Sequence, residues 1–375
     1  MAWDFCVAKS NLRQGEFRPA ALPDLAEGEV RLAVDSFALT ANNITYAVFG
    51  EAMRYWDFFP AAEGFGRVPV WGFATVEASS HPDIAVGQRF YGYYPMSSHL
   101  TVQPRKTRGG FADAAPHRQH LAAVYNQYTA VDAEDGTEAL RSLLQPLFIT
   151  GFLIDDFLDE HAMFGAQSII LSSASSKTAI GLAFLLKQRG GAKVVGLTSA
   201  RNVAFVEALG FYDQVITYEA FPEAPIASPA VFVDFAGDAG VLGAVHRRFG
   251  EDLAYSCLVG GTHWEAERGA GDLPGPKPIL FFAPDRVKKR QEDWGPGGGN
   301  PCFSLHVKRQ RSARALRPSR TCGGTRGSRH KGGNDGKKGE ACDPICEPSR
   351  QSPPRSASMP PRWDRSARSA RRRQW

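Results

Sequence analysis

The chain has 375 residues and a formal net charge of +5, a length that predicts about two domains. The charge is uneven: residues 291–375 hold 15 Arg and 4 Lys against 7 Asp and Glu, a local +12, so residues 1–290 carry −7. Any nucleic-acid reading from charge therefore concerns the tail alone. The opening "MAWDFCVAKSNLRQGEF" has no basic segment followed by an apolar one, which argues against a signal peptide, and no apolar run reaches the ~18 residues of a membrane span. Before the tail there are only Cys6 and Cys257, too few for a disulfide framework or a four-cysteine zinc site; a reduced, cytoplasmic protein is expected.

Residues 1–135 read as mostly β. In "EVRLAVDSFAL", Val30, Leu32 and Val34 alternate with Arg31, Ala33 and Asp35, the period of a half-buried strand. "VPVWGFATVEAS", "QRFYGYYP" and "HLTVQP" are short aromatic and β-branched runs divided by Gly, Pro and Asp, which predicts a small, strongly curved sheet or partial barrel. From about residue 138, "EALRSLLQPLFITGFLIDDFL" repeats apolar residues at helical spacing, and Pro146 is expected to break it into two helices. Strand and helix then alternate: "SIILSS", helix 177–188, "AKVVGLTS", helix 202–209, "QVITY", "AVFVDFA", helix 239–248, "LAYSCLVG" and the strand "ILFFAP". Near-continuous apolar strands at this rhythm predict a doubly wound α/β domain, a parallel sheet covered on both faces. The expected layout is a curved β domain over 1–135, a nucleotide-binding domain over 136–290 and a tail over 291–375.

A curved β domain, a helical bridge and a Rossmann domain in that order resemble the medium-chain dehydrogenase/reductase superfamily, whose first domain is GroES-like. "GEVRLAVDSFALTANNITYAVFG" resembles the segment of its zinc-free quinone oxidoreductases that leads to a Tyr beside the nicotinamide, and "AKVVGLTSARNVAFVEALGFYDQVITYE" is similar to their second βαβ step. More specifically, "LTANNITYAVFG", "SSASSKTAIGLAFLL" and "FFAPDRVKKR" resemble an uncharacterised bacterial domain-of-unknown-function family related to those enzymes. The resemblance covers about residues 15–290.

Zinc-dependent members place a Cys in the segment that here reads "SFALTANN", and a His-Glu pair where this chain has Phe73-Ala74. A catalytic zinc needs three Cys, His or carboxylate ligands, and these positions supply none, so no metal is expected. His99, His161 and His263 lack ligand spacing and read as surface or packing histidines.

The turn after "SIIL" contains no glycine, although glycines there serve the tight turn and the approach of a pyrophosphate to the backbone. Ser173, Ser176 and Ala179 occupy the superfamily's glycine positions; Ser173, Ser175, Ser176 and Thr178 offer hydroxyls, Lys177 a charge, and the helix N-terminus its free N–H groups. The competing reading is a serine turn that only caps a helix. "Ser176-Lys177-Thr178" also resembles the end of a Walker A motif, but Leu171 and Ser176 stand where its glycines must be.

The second strand ends Thr198-Ser199-Ala200-Arg201 without an acid for the ribose hydroxyls, so Ser199 and Arg201 predict NADP (NADPH) rather than NAD; alternatively Ser199 caps the next helix and Arg201 is solvated. The resemblance adds Tyr218 in "QVITYE", Gly237 in "DFAG" and Gly260 in "VGGTH" to the cofactor-binding set, and puts Tyr46, with Asn42 or Asn43, beside the nicotinamide. Tyr46 would hydrogen-bond or protonate a carbonyl oxygen, or else is a packed aromatic. "Tyr55-Trp56-Asp57-Phe58-Phe59" lines a flat substrate pocket or packs on the sheet. The implied activity is zinc-independent, NADPH-dependent reduction of a quinone or enone-like carbonyl compound, in a monomer or homodimer; the alternative is a catalytically silent nucleotide-binding or regulatory protein.

After about residue 298 the helical and strand periods vanish and Arg, Gly, Ser and Pro dominate. Such text is what a GC-rich coding region gives when read in the wrong frame; the rival is a disordered basic tail that binds nucleic acid through phosphates. Cys302, Cys322, Cys342 and Cys346 lack the paired spacing of a zinc module. Superfamily members return an amphipathic helix from the Rossmann domain to the first domain, and none is expected here.

Overall fold

The structure, a computed structural model, describes residues 1–131, 136–260 and 272–295. β1 (Trp3–Ala8) and β2 (Asn11–Pro19) form a hairpin. Then come β3 (Val30–Ala38), α1 (Ala41–Val48) and the short β4 (Phe65–Gly66), which joins the hairpin in a sheet of order β2-β1-β4. β5 (Pro69–Ser79), β6 (Arg89–Pro95), β7 (His99–Val102), β8 (Pro104–Thr107), β9 (Gly110–Asp113) and β10 (Gln127–Val131) combine with β3 in an antiparallel sheet of order β7-β3-β5-β6-β10-β9-β8.

This is the curved sheet that the alternating runs predict. Val30 and Leu32 are fully buried, as their period requires, while Val34 is only half-buried against the same core, where the pairing with β5 slips before Ser36. At Gly72 a Cβ would run into the Ser36 carbonyl, so β3 and β5 can approach this closely only over a glycine.

The parallel half begins with α2 (Glu138–Glu160) and continues through β11 (Ser168–Leu171), α3 (Lys177–Arg189), β12 (Lys193–Thr198), α4 (Val203–Ala208), β13 (Gln214–Thr217), β14 (Ala230–Asp234), α5 (Ala239–Phe249), β15 (Leu253–Leu258), β16 (Ile279–Leu280) and α6 (Ala283–Trp294). The sheet order is β13-β12-β11-β14-β15-β16, all parallel. Ile169 and Leu171 pack on one face with α2 and α3, while Ile170, Val195 and Leu197 pack on the other with α5. The doubly wound arrangement follows from strands that are apolar on both sides. Among the described residues no helix is long and apolar enough to cross a membrane.

Pro146 does not divide α2; the helix runs unbroken through it. An interior proline costs about 3 kcal/mol in lost bonding and ring clash. Against that stand Phe152, Leu153, Ile154 and Leu158, each at most 1% exposed, and each fully buried apolar side chain contributes about 1.5–3 kcal/mol. Burial wins. The helix also meets α3 almost backbone to backbone: a Cβ on Gly151 would lie 2.9 Å from the Leu182 nitrogen and 3.2 Å from the Thr178 oxygen.

"ILFFAP" is likewise not the strand it resembles in sequence. Only Ile279–Leu280 pairs, beside β15, and Ala283-Pro284 opens α6, where proline is tolerated in the first turn. The expectation that no helix returns after about residue 298 lies outside the described residues; α6 precedes that point and was not expected from the sequence. α6 packs Val287 against Phe152, Leu153 and the loop residue Val124 of the β half. It is held chiefly by charge. Asp156 Oδ2 accepts from Arg290 Nε at 2.5 Å and Arg286 Nη2 at 3.0 Å, and Glu160 meets Arg286, Arg290 and Lys289 at 2.7, 3.0 and 3.2 Å. Partial burial pushes the Glu160 carboxyl up, but hydrogen bonds from Arg286 and Lys289 outweigh it and hold the pKa at about 2. The helix was missed because its apolar content is nearly confined to one residue, Val287. The basic tail lies outside the described residues.

Asp156→Ala should remove the shared carboxylate and leave two half-desolvated guanidinium groups. Because Glu160 still pairs with both of them, the expected cost is that of lost hydrogen bonds to a charged group, about 1.5–3 kcal/mol, which denaturant unfolding would read directly.

Candidate functional site

In the parallel sheet the chain leaves β11 for β12 on one side and passes to β14 on the other, so the two strands' carboxyl ends flank a topological switch point, where α/β sheets bind ligands. Ser172 and Asp234 meet there. The Ser172 hydroxyl donates to Asp234 Oδ1 at 2.6 Å and accepts from the Phe235 and Ala236 amides at 2.8 and 3.0 Å. Asp234 Oδ1 also accepts from the Ala236 and Gly237 amides at 3.0 and 3.3 Å, and burial pushes its carboxyl pKa up.

Above this joint the turn is tight without glycine. Ser173 has φ +47°, the left-handed region, and its amide donates to the Tyr218 hydroxyl at 2.9 Å. The Ser176 amide donates to the Ser173 carbonyl at 2.7 Å, and Ser176 Oγ caps α3 by accepting from the Ala179 amide at 3.4 Å. The capping alternative is therefore realised, yet it uses only one of the first-turn donors; the Lys177 and Thr178 amides have no intrahelical acceptor. Ala174 is buried, and a Cβ on Gly196 would come within 2.9 Å of it, which explains the small residues at this crossing.

A cleft of about 560 Å³ lies between this turn and α1. Its walls include Ser173, Ser175, Ser176, Lys177, Thr178, Ser199, Arg201, Tyr218 and Gly260 from the parallel half, with Asn42 and Tyr46 from the other. Gly260 is brought in because Val259 and Gly260 turn back to donate to the Asp234 carbonyl at 2.9 and 3.3 Å. Two expected residues lie elsewhere. Gly237, at φ +68°, belongs to the loop under the cleft and does not line it. Asn43 is buried, closes the capping box of α1 with Thr40 and donates to the Pro69 carbonyl at 2.9 Å. Helix geometry separates the neighbours: Asn42 and Tyr46 are four residues apart and share a face, and Asn43 turns away.

Ser199 makes no capping hydrogen bond; its hydroxyl accepts from Asn202 Nδ2 at 3.2 Å, and the same amide donates to Ser175 Oγ at 3.1 Å. Asn202 thus ties the two ends of the cleft's polar wall, and no motif in the sequence marks it.

Across the cleft, Tyr46 is only 5% exposed, and its hydroxyl accepts from Trp71 Nε1 at 3.1 Å. Burial pushes its pKa above the ordinary phenol value. The aromatic run divides by residue: Tyr55 lines the cleft, whereas Trp56, Phe58 and Phe59 are core. Tyr125, which sequence reasoning missed, faces Tyr55 with hydroxyls 3.5 Å apart, and Phe281–Pro284 complete the rim at the start of α6.

Phe73 and Ala74 are fully buried, and among the described residues no three His, Cys, Asp or Glu converge as a metal centre. His99 faces Glu77 at 3.4 Å, and His161 Nδ1 lies 2.9 Å from the Phe157 carbonyl. His263 lies outside the described residues.

Over residues 37–327 the sequence matches the family described as "Protein of unknown function (DUF2855)". The chain belongs to that family. Its fold is that of the medium-chain dehydrogenase/reductase superfamily. CurA from Vibrio vulnificus superposes with TM-score 0.52 at 15% identity, covering 82% of this chain and 88% of that one. Its NADPH complex gives 0.53 at 16% over 82% and 89%. A Mesorhizobium loti protein described as "a putative NADPH:quinone reductase" gives 0.53 at 14% over 82% and 89%. Among curated proteins none matches the sequence.

Replacing Ser172 by Ala should leave the Phe235 amide and the Asp234 carboxyl short of a partner in a fully buried place. A cost of about 1–3 kcal/mol is expected, and thermal unfolding compared with Ser175→Ala, on the cleft wall, would measure it.

Proposed function

We propose that the cleft binds NADPH and that this protein reduces a small quinone or enone-like carbonyl compound without zinc. One observation carries the reading: Ser199 and Arg201, at the end of β12, share a cleft with the Lys177 turn and with Tyr46. The residues fit the cofactor. The Lys177 and Thr178 amides and the Lys177 charge suit a pyrophosphate at a helix N-terminus. Ser199 and the exposed Arg201 suit a 2′-phosphate, where a guanidinium forms charge-assisted bonds. When bound, NADPH supplies a hydride. Tyr46 then faces the substrate carbonyl and donates a hydrogen bond to its oxygen, which is worth most when charge gathers there. Phe49, Met53, Tyr55 and Tyr125 offer an apolar, aromatic wall that suits a flat, uncharged substrate. The NADPH complex of CurA, with the same fold, supports the cofactor.

A second reading, nucleotide binding without turnover, draws on the buried Tyr46 hydroxyl, whose raised pKa makes it a poor acid. NADPH oxidation with a panel of quinones separates the two: binding without oxidation favours the second.

Arg201→Ala should weaken NADPH by about tenfold or more while leaving NADH nearly unchanged, because only the 2′-phosphate loses a charged partner. Fluorescence titration with both cofactors reads this, and equal losses would remove the NADP assignment. Lys177→Glu should abolish binding of both cofactors by setting an anion against the pyrophosphate; unchanged affinity would mean the cofactor lies elsewhere.

A further inference from the structure

Trp71 lies on β5, outside the residues that line the cleft, yet its Nε1 donates to the Tyr46 hydroxyl at 3.1 Å. An indole N–H only donates. The polarity of this bond is therefore fixed: Tyr46 accepts from Trp71 and cannot return its own proton there. Asn42 bears on the same hydroxyl and, like Trp71, favours its ionised form, as a donor does.

We infer that Trp71 is a positioning residue: it occupies the acceptor side of the Tyr46 hydroxyl and so turns the hydroxyl proton into the cleft, toward the carbonyl oxygen of the substrate. The inference rests on the reductase reading above.

The indole is held firmly enough for this. It stacks on Tyr91 with centroids 5.7 Å apart and planes 21° apart, and it lies 5.1 Å from Tyr93 and 6.0 Å from Tyr125. In register it sits between Ala38 of β3 and Tyr93 of β6, beside the glycine over which β3 and β5 close. Tyr46 is equally confined, edge-on to Tyr55 and Tyr93 at 4.8 and 5.4 Å. Two rigid aromatic groups joined by a bond of fixed direction leave the phenol one orientation in which its proton is used. A donor on the phenol oxygen also polarises the O–H bond and strengthens what it gives in turn. Trp71 thereby offsets part of the weakness that burial imposes on Tyr46.

Two measurements test this. In protein labelled with ¹⁵N-tryptophan, the Trp71 indole resonance, assigned through its own backbone, should move upfield in Tyr46→Phe; an unmoved resonance means there is no bond and overturns the inference. In NADPH oxidation with 1,4-naphthoquinone, Trp71→Phe should lower kcat about three- to tenfold, the size of one neutral hydrogen bond, with the KM for NADPH unchanged. In the Tyr46→Phe background the same change should cost nothing further. Independent, additive losses would show that Trp71 acts by packing alone and would overturn the positioning role. A wild type that turns over none of this quinone counts against the reductase reading instead, and the indole shift then still decides whether Trp71 fixes the Tyr46 hydroxyl.

Discussion

The site depends first on a hydroxyl that no ligand touches. Ser172 Oγ gives its single proton to Asp234 and takes two amide protons from the residues after β14. That exchange ties the end of β11 to the end of β14 at the point where the sheet changes direction. It adds a side-chain tie to the backbone pairing of the two strands, beneath Phe235, which lines the cleft, and the serine turn. A carboxyl in so dry a place would ordinarily be costly; here three donors converge on one oxygen, which is how a buried polar group is tolerated.

Within the parallel half, α2 is held to its neighbours by different forces at different places. Across α2 and α3 it is close approach, made possible by Gly151 and by the burial that carries α2 through Pro146. At α6 it is charge, with Asp156 and Glu160 gathering three cations. Phe281 to Pro284, at the start of α6, form part of the cleft rim, so this wall of the site sits on a helix held by an ion-pair cluster.

Much of this was legible because it is periodic. Both sheets and the strand–turn–helix at Ser172–Lys177 follow from spacing, whereas resemblance left Asn42 and Asn43 open beside Tyr46 and α1 separates them. What was not legible is what depends on distant partners. Pro146 reads as a break because sequence records its local cost and not the burial of Phe152 and Leu153. Val34 reads as deep as Val30 and Leu32, and the register slip beside it leaves no mark in the alternation. Asn202, Tyr125 and Trp71 reach the site through side chains 25 or more residues away in sequence from their partners there. The four aromatic residues between Tyr55 and Phe59 could not be divided between pocket and core by type alone; only the fold sorts them.

The left-handed Ser173 carries a further consequence. Its amide is already engaged by the Tyr218 hydroxyl, so the turn keeps its shape with no anion present. For any phosphate that seeks that donor, arrival is an exchange of acceptors rather than the filling of a vacancy. The gain is only the difference between a charged oxygen and a phenol, while the ordering of the turn has already been met by folding. Such a loop trades depth of affinity for readiness, and Tyr218 becomes the counterweight that sets the balance.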